Sequence, residues 1–194
     1  MSGATGTDDD DPDDEHPDDG DPPVGIVLCG GRSTRMGRDK ALIGDPAWAH
    51  RVASVLDAAG CRPTVLAGGD PSLGLSRWDQ EPDTNPGAGP GAALADACRK
   101  RPGRSLVVAA CDLPHLVEDD VRTLVDAVRH GAAVAVYDLG GAPQWSLVAV
   151  GGARGREIAQ QVTGGSPPLH RLLAPGAVHL GATDPRTVTD IDEP

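Results

Sequence analysis

The amino-acid sequence predicts a three-layer α/β/α sandwich with a mostly parallel sheet, and three observations carry that expectation. From residue 24 onward, short apolar runs alternate with stretches of helical periodicity, the order that builds βαβ units. The 194 residues include no Phe, one Tyr and three Trp, so the core must come from Val, Leu, Ile and Ala, which suit strands covered on both faces. The first apolar run, Ile26, Val27 and Leu28, opens into Gly30 and Gly31, where backbone N–H groups can approach an anion because no Cβ stands in the way.

Charge divides the chain in two. Residues 1–23 hold ten acidic residues and no Lys or Arg, with several Pro and Gly, a composition that cannot bury apolar surface and reads as a disordered acidic tail. Residues 24–194 carry 19 acidic and 17 basic residues and read as one domain long enough for a substantial core. No basic face points to nucleic acid, and no apolar run is long enough to span a membrane. Cys29, Cys61, Cys98 and Cys111 show no CxxC spacing and read as reduced thiols, mostly core fillers, of a soluble cytoplasmic protein.

In chain order, the loop after the first strand is polar and carries Arg32, Arg35, Arg38 and Lys40, cations suited to a polyphosphate. Lys40 stands nine residues past Gly31, so the loop is neither a Walker A motif nor a dinucleotide fingerprint. Residues 47–59 place Trp48, Val52, Val55 and Leu56 at helical spacing, and Gly60 ends that helix. His50 on it reads as a surface or boundary residue. Residues 64–66 form a second strand, closed by the turn cluster at 68–71. A glycine-rich loop over 83–91 leads into a helix at 92–100, whose N-terminal N–H groups could hold an anion. Residues 105–110 are the most strand-like run, and Cys111, Asp112, Leu113 and Pro114 follow. Asp112 therefore falls at the carboxyl edge of the sheet, where open α/β folds bind ligands, although a helix-cap role suits it as well. A helix over 118–130, strands over 132–137 and 145–150, helices over 154–162 and 168–173, and short strands at 178–180 and 187–188 complete the reading.

The segment LCGGRSTRMGRDKAL, Leu28 to Leu42, resembles the LxGGxSxRMGxDKxL signature of the molybdenum cofactor guanylyltransferases, a family within the Rossmann-like nucleotidyltransferases. Cys29, where the family usually has Ala, is a mild departure. The loop from Asp83 is similar to the family's Asp-x(n)-GxGPxxG segment, in which the Asp contacts the nucleoside and glycines such as Gly89 line the base pocket. Gly91 directly after Pro90 departs from that pattern and implies a slightly altered pocket wall. CDLP matches the family's CDxP, whose Asp coordinates Mg²⁺, and this implies a metal role for Asp112. His115 beside it reads as a polar rim residue.

The resemblance weakens toward the end of the chain. Where the family has a His/Gln-Pro pair lining the acceptor site, this sequence reads Pro143, Gln144, Trp145. Gln144 and Trp145 suit a pterin, and Trp145 suits the core equally. Asp190 and Asp192 resemble the closing D/N-x-D/N-TP motif, but Glu193 replaces Thr and no helix follows the Pro.

The implied reaction transfers GMP from GTP to the terminal phosphate of molybdenum-molybdopterin, with release of pyrophosphate and dependence on Mg²⁺. Leu28, Cys29, Gly30, Gly31, Asp83 and Gly89 would hold the nucleotide. Arg35 and Lys40 would neutralise phosphate charge. Asp112 with Asp192 would hold the metal, while Gln144, Trp145, Asp190 and Asp192 would meet the acceptor. Molybdoenzyme apoproteins or their chaperones are the implied partners. The Gly30–Gly31 pair favours GTP over CTP within this group. A cytidylyltransferase for the same cofactor, a sugar-phosphate nucleotidyltransferase and a non-catalytic nucleotide-binding partner in molybdoenzyme assembly stay open.

Overall fold

A computed structural model describes residues 20–30, 40–163 and 167–191. Seven strands, β1 (Val24–Leu28), β2 (Thr64–Ala67), β3 (Asp79–Glu81), β4 (Leu106–Ala110), β5 (Val134–Asp138), β6 (Pro143–Val150) and β7 (Ala177–Gly181), form one sheet. Their spatial order is β3-β2-β1-β4-β6-β5-β7, and only β6 runs antiparallel to its neighbours. The expected mostly parallel sheet is therefore present, and the short β5–β6 hairpin is its exception.

Among the described residues, five helices cover the sheet: α1 (Trp48–Ala58), α2 (Pro90–Lys100), α3 (Glu118–Arg129), α4 (Gly152–Gln161) and α5 (Leu169–Leu173). Alternate residues of the apolar strands feed two cores. Val27, Leu66, Val107, Leu147 and Ala149 pack with the buried faces of α1 and α3. Ile26, Val65, Val108, Val148 and Val150 pack with α2, α4 and α5. A sheet sealed on both faces needs continuously apolar strands, which is why LVVAA of β4 shows no alternation. Gly91 belongs to this packing. A Cβ there would stand 1.9 Å from the Pro167 carbonyl oxygen, so only glycine lets α2 lie this close to the segment before α5. Its effect here falls on helix packing.

Two strand assignments differ from the sequence reading. Residues 187–188 are not a strand: Pro185–Thr187 forms a single 3-10 turn, with the Asp184 carboxylate accepting the Arg186 N–H. Proline at the first position and this aspartate cap fix a turn there. The sequence reading had no β3, because Asp79, Gln80 and Glu81 offer no apolar pattern. As an edge strand bonded only to β2, β3 tolerates polar side chains. The acidic stretch 1–19 lies outside the described residues. Among the described residues, no helix is long and apolar enough to cross a membrane.

Candidate active site

The switch point of the sheet lies between β1 and β4. From β1 the chain moves outward to β2, whereas β4 leads toward β6 and β5, and such divergence opens a crevice at the carboxyl ends. Leu28 is level with Ala110, so the two strands end together. Cys29 and Gly30 leave one strand, and Cys111 and Asp112 leave the other.

Three distant segments meet there. The Lys40 Nζ donates to Asp112 Oδ2 at 3.2 Å and to the Ile191 carbonyl oxygen at 3.2 Å. The Ile191 N–H returns to the Asp112 carbonyl oxygen at 3.0 Å. Lys40 opens a 3-10 turn, Lys40–Leu42, anchored by the buried Ala41. Asp112 is fixed by the end of β4. Both side chains are largely shielded, with 22% and 16% of their surface exposed, so their attraction is less screened than that of a surface pair. Separation by 72 residues hides the pair from any local pattern.

Beside it lies an open cleft of about 1010 Å³, whose lining includes Leu28, Cys29, Gly30, Gly68, Asp83 and Gly89. Its floor is a close stack of backbones. A Cβ on Gly68 would come within 3.4 Å of the Gly30 backbone, and one on Gly69 would sit 2.7 Å from the Cys29 Cβ. The φ of +81° at Gly69 independently requires glycine. The Gln80 Nε2 of β3 holds this turn by donating to the Gly68 carbonyl at 2.8 Å and the Asp70 carbonyl at 2.9 Å. Asp83 reaches over from the same side, its Oδ2 3.6 Å from where a Cβ on Gly30 would stand. Its Oδ1 accepts the Asn85 N–H, folding the exposed loop back on itself.

A belt of charges ties this loop to α2. Thr84 donates to Asp96 at 2.7 Å, and Lys100 bridges Asp96 at 2.9 Å and Glu81 at 3.2 Å. Arg101 also pairs with Glu81. Burial pushes the Glu81 carboxyl up, but the hydrogen bonds and charges of Arg101 and Lys100 outweigh it and hold the carboxyl below its ordinary value. Asp96 likewise resists burial and is held down by Lys100 and Thr84. Gln80, Asp96 and Lys100 line the cleft, and sequence reasoning passed over all three. Asp96 and Lys100 left one signal, an i, i+4 acid–base pair near the end of α2, and Gln80 left none.

The residues expected to meet the acceptor are placed differently. The β4–β6 ladder ends at Ala109 and Leu147, and Gln144 lies beyond it near the start of β6. The Gln144 amide donates to its own turn, at the Ala142 carbonyl. Trp145 is half-buried and packs against the core under α2, α4 and α5. Asp190 is exposed next to Ile191. None of these three lines the cleft. Gly31, Arg35 and Asp192 lie outside the described residues. His50, expected at the surface or boundary, is half-buried, bonded to the Leu73 carbonyl and stacked on Trp78. His115 is exposed beside Asp112.

Among the described residues, no three His, Cys, Asp or Glu side chains gather into a metal cage. A single carboxylate at a phosphate-accepting edge still fits Mg²⁺, which is commonly bound by one or two carboxylates with substrate oxygens and water completing the shell. Asp112 could hold such an ion, since among the described residues only its Oδ2 is engaged by a side chain.

A parallel-sheet crevice with glycine-backed walls and a lysine–aspartate pair is an arrangement with which open α/β folds bind phosphate-linked ligands. The chain belongs to the MobA-like NTP transferase domain family, which it matches over residues 25–178. A molybdenum cofactor guanylyltransferase of Xanthomonas euvesicatoria is 37% identical over 99 residues, 49% of this chain and 49% of that protein. The chain spans about half the length of the curated relatives it matches. Two solved structures share the fold. Molybdopterin-guanine dinucleotide biosynthesis protein A of Archaeoglobus fulgidus superimposes with a TM-score of 0.66 at 19% identity, covering 81% of this chain and 83% of that one. Rv0371c of Mycobacterium tuberculosis, in complex with manganese, gives a TM-score of 0.63 at 17% identity over 83% and 88%.

Proposed function

We propose that this protein transfers GMP from GTP to the terminal phosphate of a molybdopterin-type acceptor, releasing pyrophosphate, as a Mg²⁺-dependent enzyme of the cytoplasm. The convergence of Lys40, Asp112 and the Ile191 backbone beside the Gly30–Gly68–Asp83 cleft is the observation that carries this reading. Kinship with guanylyltransferases of known name supports the nucleotide and the acceptor. The manganese bound by a structural neighbour supports a divalent ion. Four cysteines without a disulfide suit a reducing compartment.

In this reading the glycine-backed floor receives base and ribose, and Asp83 reads the nucleoside from the loop above. Lys40 and Arg35 neutralise the β- and γ-phosphates and the departing pyrophosphate. Asp112, joined by Asp192, would hold Mg²⁺, which when bound withdraws charge from the α-phosphate. Gln144 and Trp145 would face the acceptor with Asp190. The acceptor phosphate is already anionic at neutral pH, with a second pKa of about 6, so no general base is required. Positioning and charge neutralisation then provide most of the acceleration.

The test is pyrophosphate release by purified protein supplied with Mg²⁺, molybdopterin acceptor and GTP, CTP, ATP or UTP in turn. Release with GTP alone is the expected result. Turnover led by CTP, or with a hexose 1-phosphate in place of the pterin, would contradict the reading.

A further inference from the structure

The four cysteines fall into two unlike pairs. Cys61 and Cys98 are isolated in opposite cores, and burial pushes both thiols up to about 12, which leaves them inert. Cys29 and Cys111 are neighbours. Each follows the last residue of its strand, and Leu28 and Ala110 are level in the parallel β1–β4 ladder. The Cys111 N–H donates to the Leu28 carbonyl at 3.2 Å, so the register carries one residue further and brings Cys29 level with Cys111. Both side chains enter the same buried cluster, on the same face of the sheet. Adjacent strands lie about 4.8 Å apart, inside the Cα separation of about 4.4–6.8 Å that a disulfide spans. Cys29 is only 3% exposed and its thiol donates to the Val27 carbonyl at 3.5 Å, but the residue forms part of the wall of the open cleft, the side from which a small reagent would approach the pair.

We propose that Cys29 and Cys111 form a redox-active dithiol, oxidised by hydrogen peroxide to an intramolecular disulfide that joins the carboxyl ends of β1 and β4. The sulfur of Cys29, reached from the cleft, attacks the peroxide. The O–O bond breaks, a sulfenic acid forms and the first water leaves. The sulfur of Cys111 then attacks the sulfenic sulfur, the S–S bond forms and the second water departs. Both thiol protons end in the two waters, and the peroxide takes up the two electrons that the sulfurs lose.

The next residue after each cysteine is Gly30 on one strand and Asp112 on the other. A disulfide needs the two Cβ atoms about 3.5–4.5 Å apart, so closing it draws those two backbones together. On the reading that nucleotide binds at this edge, the disulfide displaces Asp112 and its Lys40 partner from the working geometry. A misplacement of about 1 Å can cost about a hundredfold in rate.

The experiment exposes the full chain to excess hydrogen peroxide under native conditions, removes the peroxide, then unfolds and alkylates the protein. Peptide mapping should find Cys61 and Cys98 alkylated and Cys29 linked to Cys111, and dithiothreitol should restore all four alkylations. Cys111→Ala should abolish the link. If that variant fails to fold, the map of the unmodified chain decides. Four alkylated cysteines, a link through Cys61 or Cys98, or oxidation of Cys29 alone to a sulfinic acid would overturn the proposal. The rise in melting temperature given by GTP should fall by at least half in the oxidised protein and return with dithiothreitol. A disulfide that leaves the GTP response intact would overturn its coupling to the site. Absence of any GTP response in the reduced protein would count against the guanylyltransferase reading and leave the thiol map to stand by itself.

Discussion

The two sides of the sheet's carboxyl edge are built to different tolerances. On the β3-β2-β1 side, every wall of the cleft is held by a neighbour. Gln80 fixes the Gly68–Asp70 turn, that turn backs Gly30 and Cys29, and the Glu81–Lys100–Asp96–Thr84 belt fixes the loop bearing Asp83. On the β6-β5-β7 side, Gln144 bonds, among the described residues, to its own hairpin turn and Asp190 is exposed. The first arrangement suits a rigid, small and invariant ligand portion read through backbone. The second suits a larger acceptor that brings part of its own order to the site. Lys40 and Asp112 sit at the seam between them.

Breaking the seam should have the largest effect. Asp112→Ala is expected to lower pyrophosphate release by at least about a hundredfold, the scale of losing one charge-positioning group, with the circular dichroism of the fold retained. Lys40→Ala should both raise the KM for GTP and lower kcat. Wild-type rates in either variant at saturating Mg²⁺ would remove the role assigned to that residue.

Next come variants that separate the two sides. Gln80→Ala frees the Gly68–Asp70 turn and should raise the KM for GTP about tenfold while leaving kcat within a few-fold, the mark of lost ground-state positioning. Gln144→Ala should leave the KM for GTP unchanged and alter only the acceptor's. Equal effects of both variants on GTP would erase the contrast drawn between the sides.

Stability offers smaller effects. Trp145→Ala should cost about 2 kcal/mol by chemical denaturation, below the ~3–5 kcal/mol of a fully buried aromatic because this one is half-buried. A negligible cost would return Trp145 to the acceptor role alone. The charge belt gives a pH signature. Glu81 and Asp96 are held below their ordinary values when folded, so their contribution is present above about pH 4 and is lost as pH falls through the lowered folded values. Lys100→Met should therefore make the urea midpoint less sensitive to acid between pH 5 and pH 3. An unchanged pH dependence would show that the belt is not coupled as described.

How much of this was legible in the sequence follows from which interactions are local. Every strand with a buried apolar face was visible, as were the four longer helices, because burial writes a pattern that a short window can read. The edge strand β3 was invisible because its pairing uses backbone while its side chains are polar. The 3-10 turn at Pro185–Thr187 was misread as a strand because Thr and Val favour strands, and the proline and aspartate cap prevailed. Lys40 and Asp112 became candidates separately, as a cation of the basic loop and a carboxylate at the sheet's carboxyl edge, and motif resemblance reinforced both; their contact spans 72 residues and leaves no local trace. Gln80 shows the limit most clearly. Its value lies in two carbonyls that any sequence would supply, and only the turn geometry makes them acceptors.

The most direct test of the central claim is thermal unfolding with GTP, CTP, ATP and UTP, each with and without Mg²⁺, since a ligand that binds only the folded state raises the midpoint with its affinity. The account predicts a rise for GTP alone, larger with Mg²⁺, with the Mg²⁺-dependent increment absent in Asp112→Ala. A rise led by CTP or UTP, or none for any nucleotide, would contradict it.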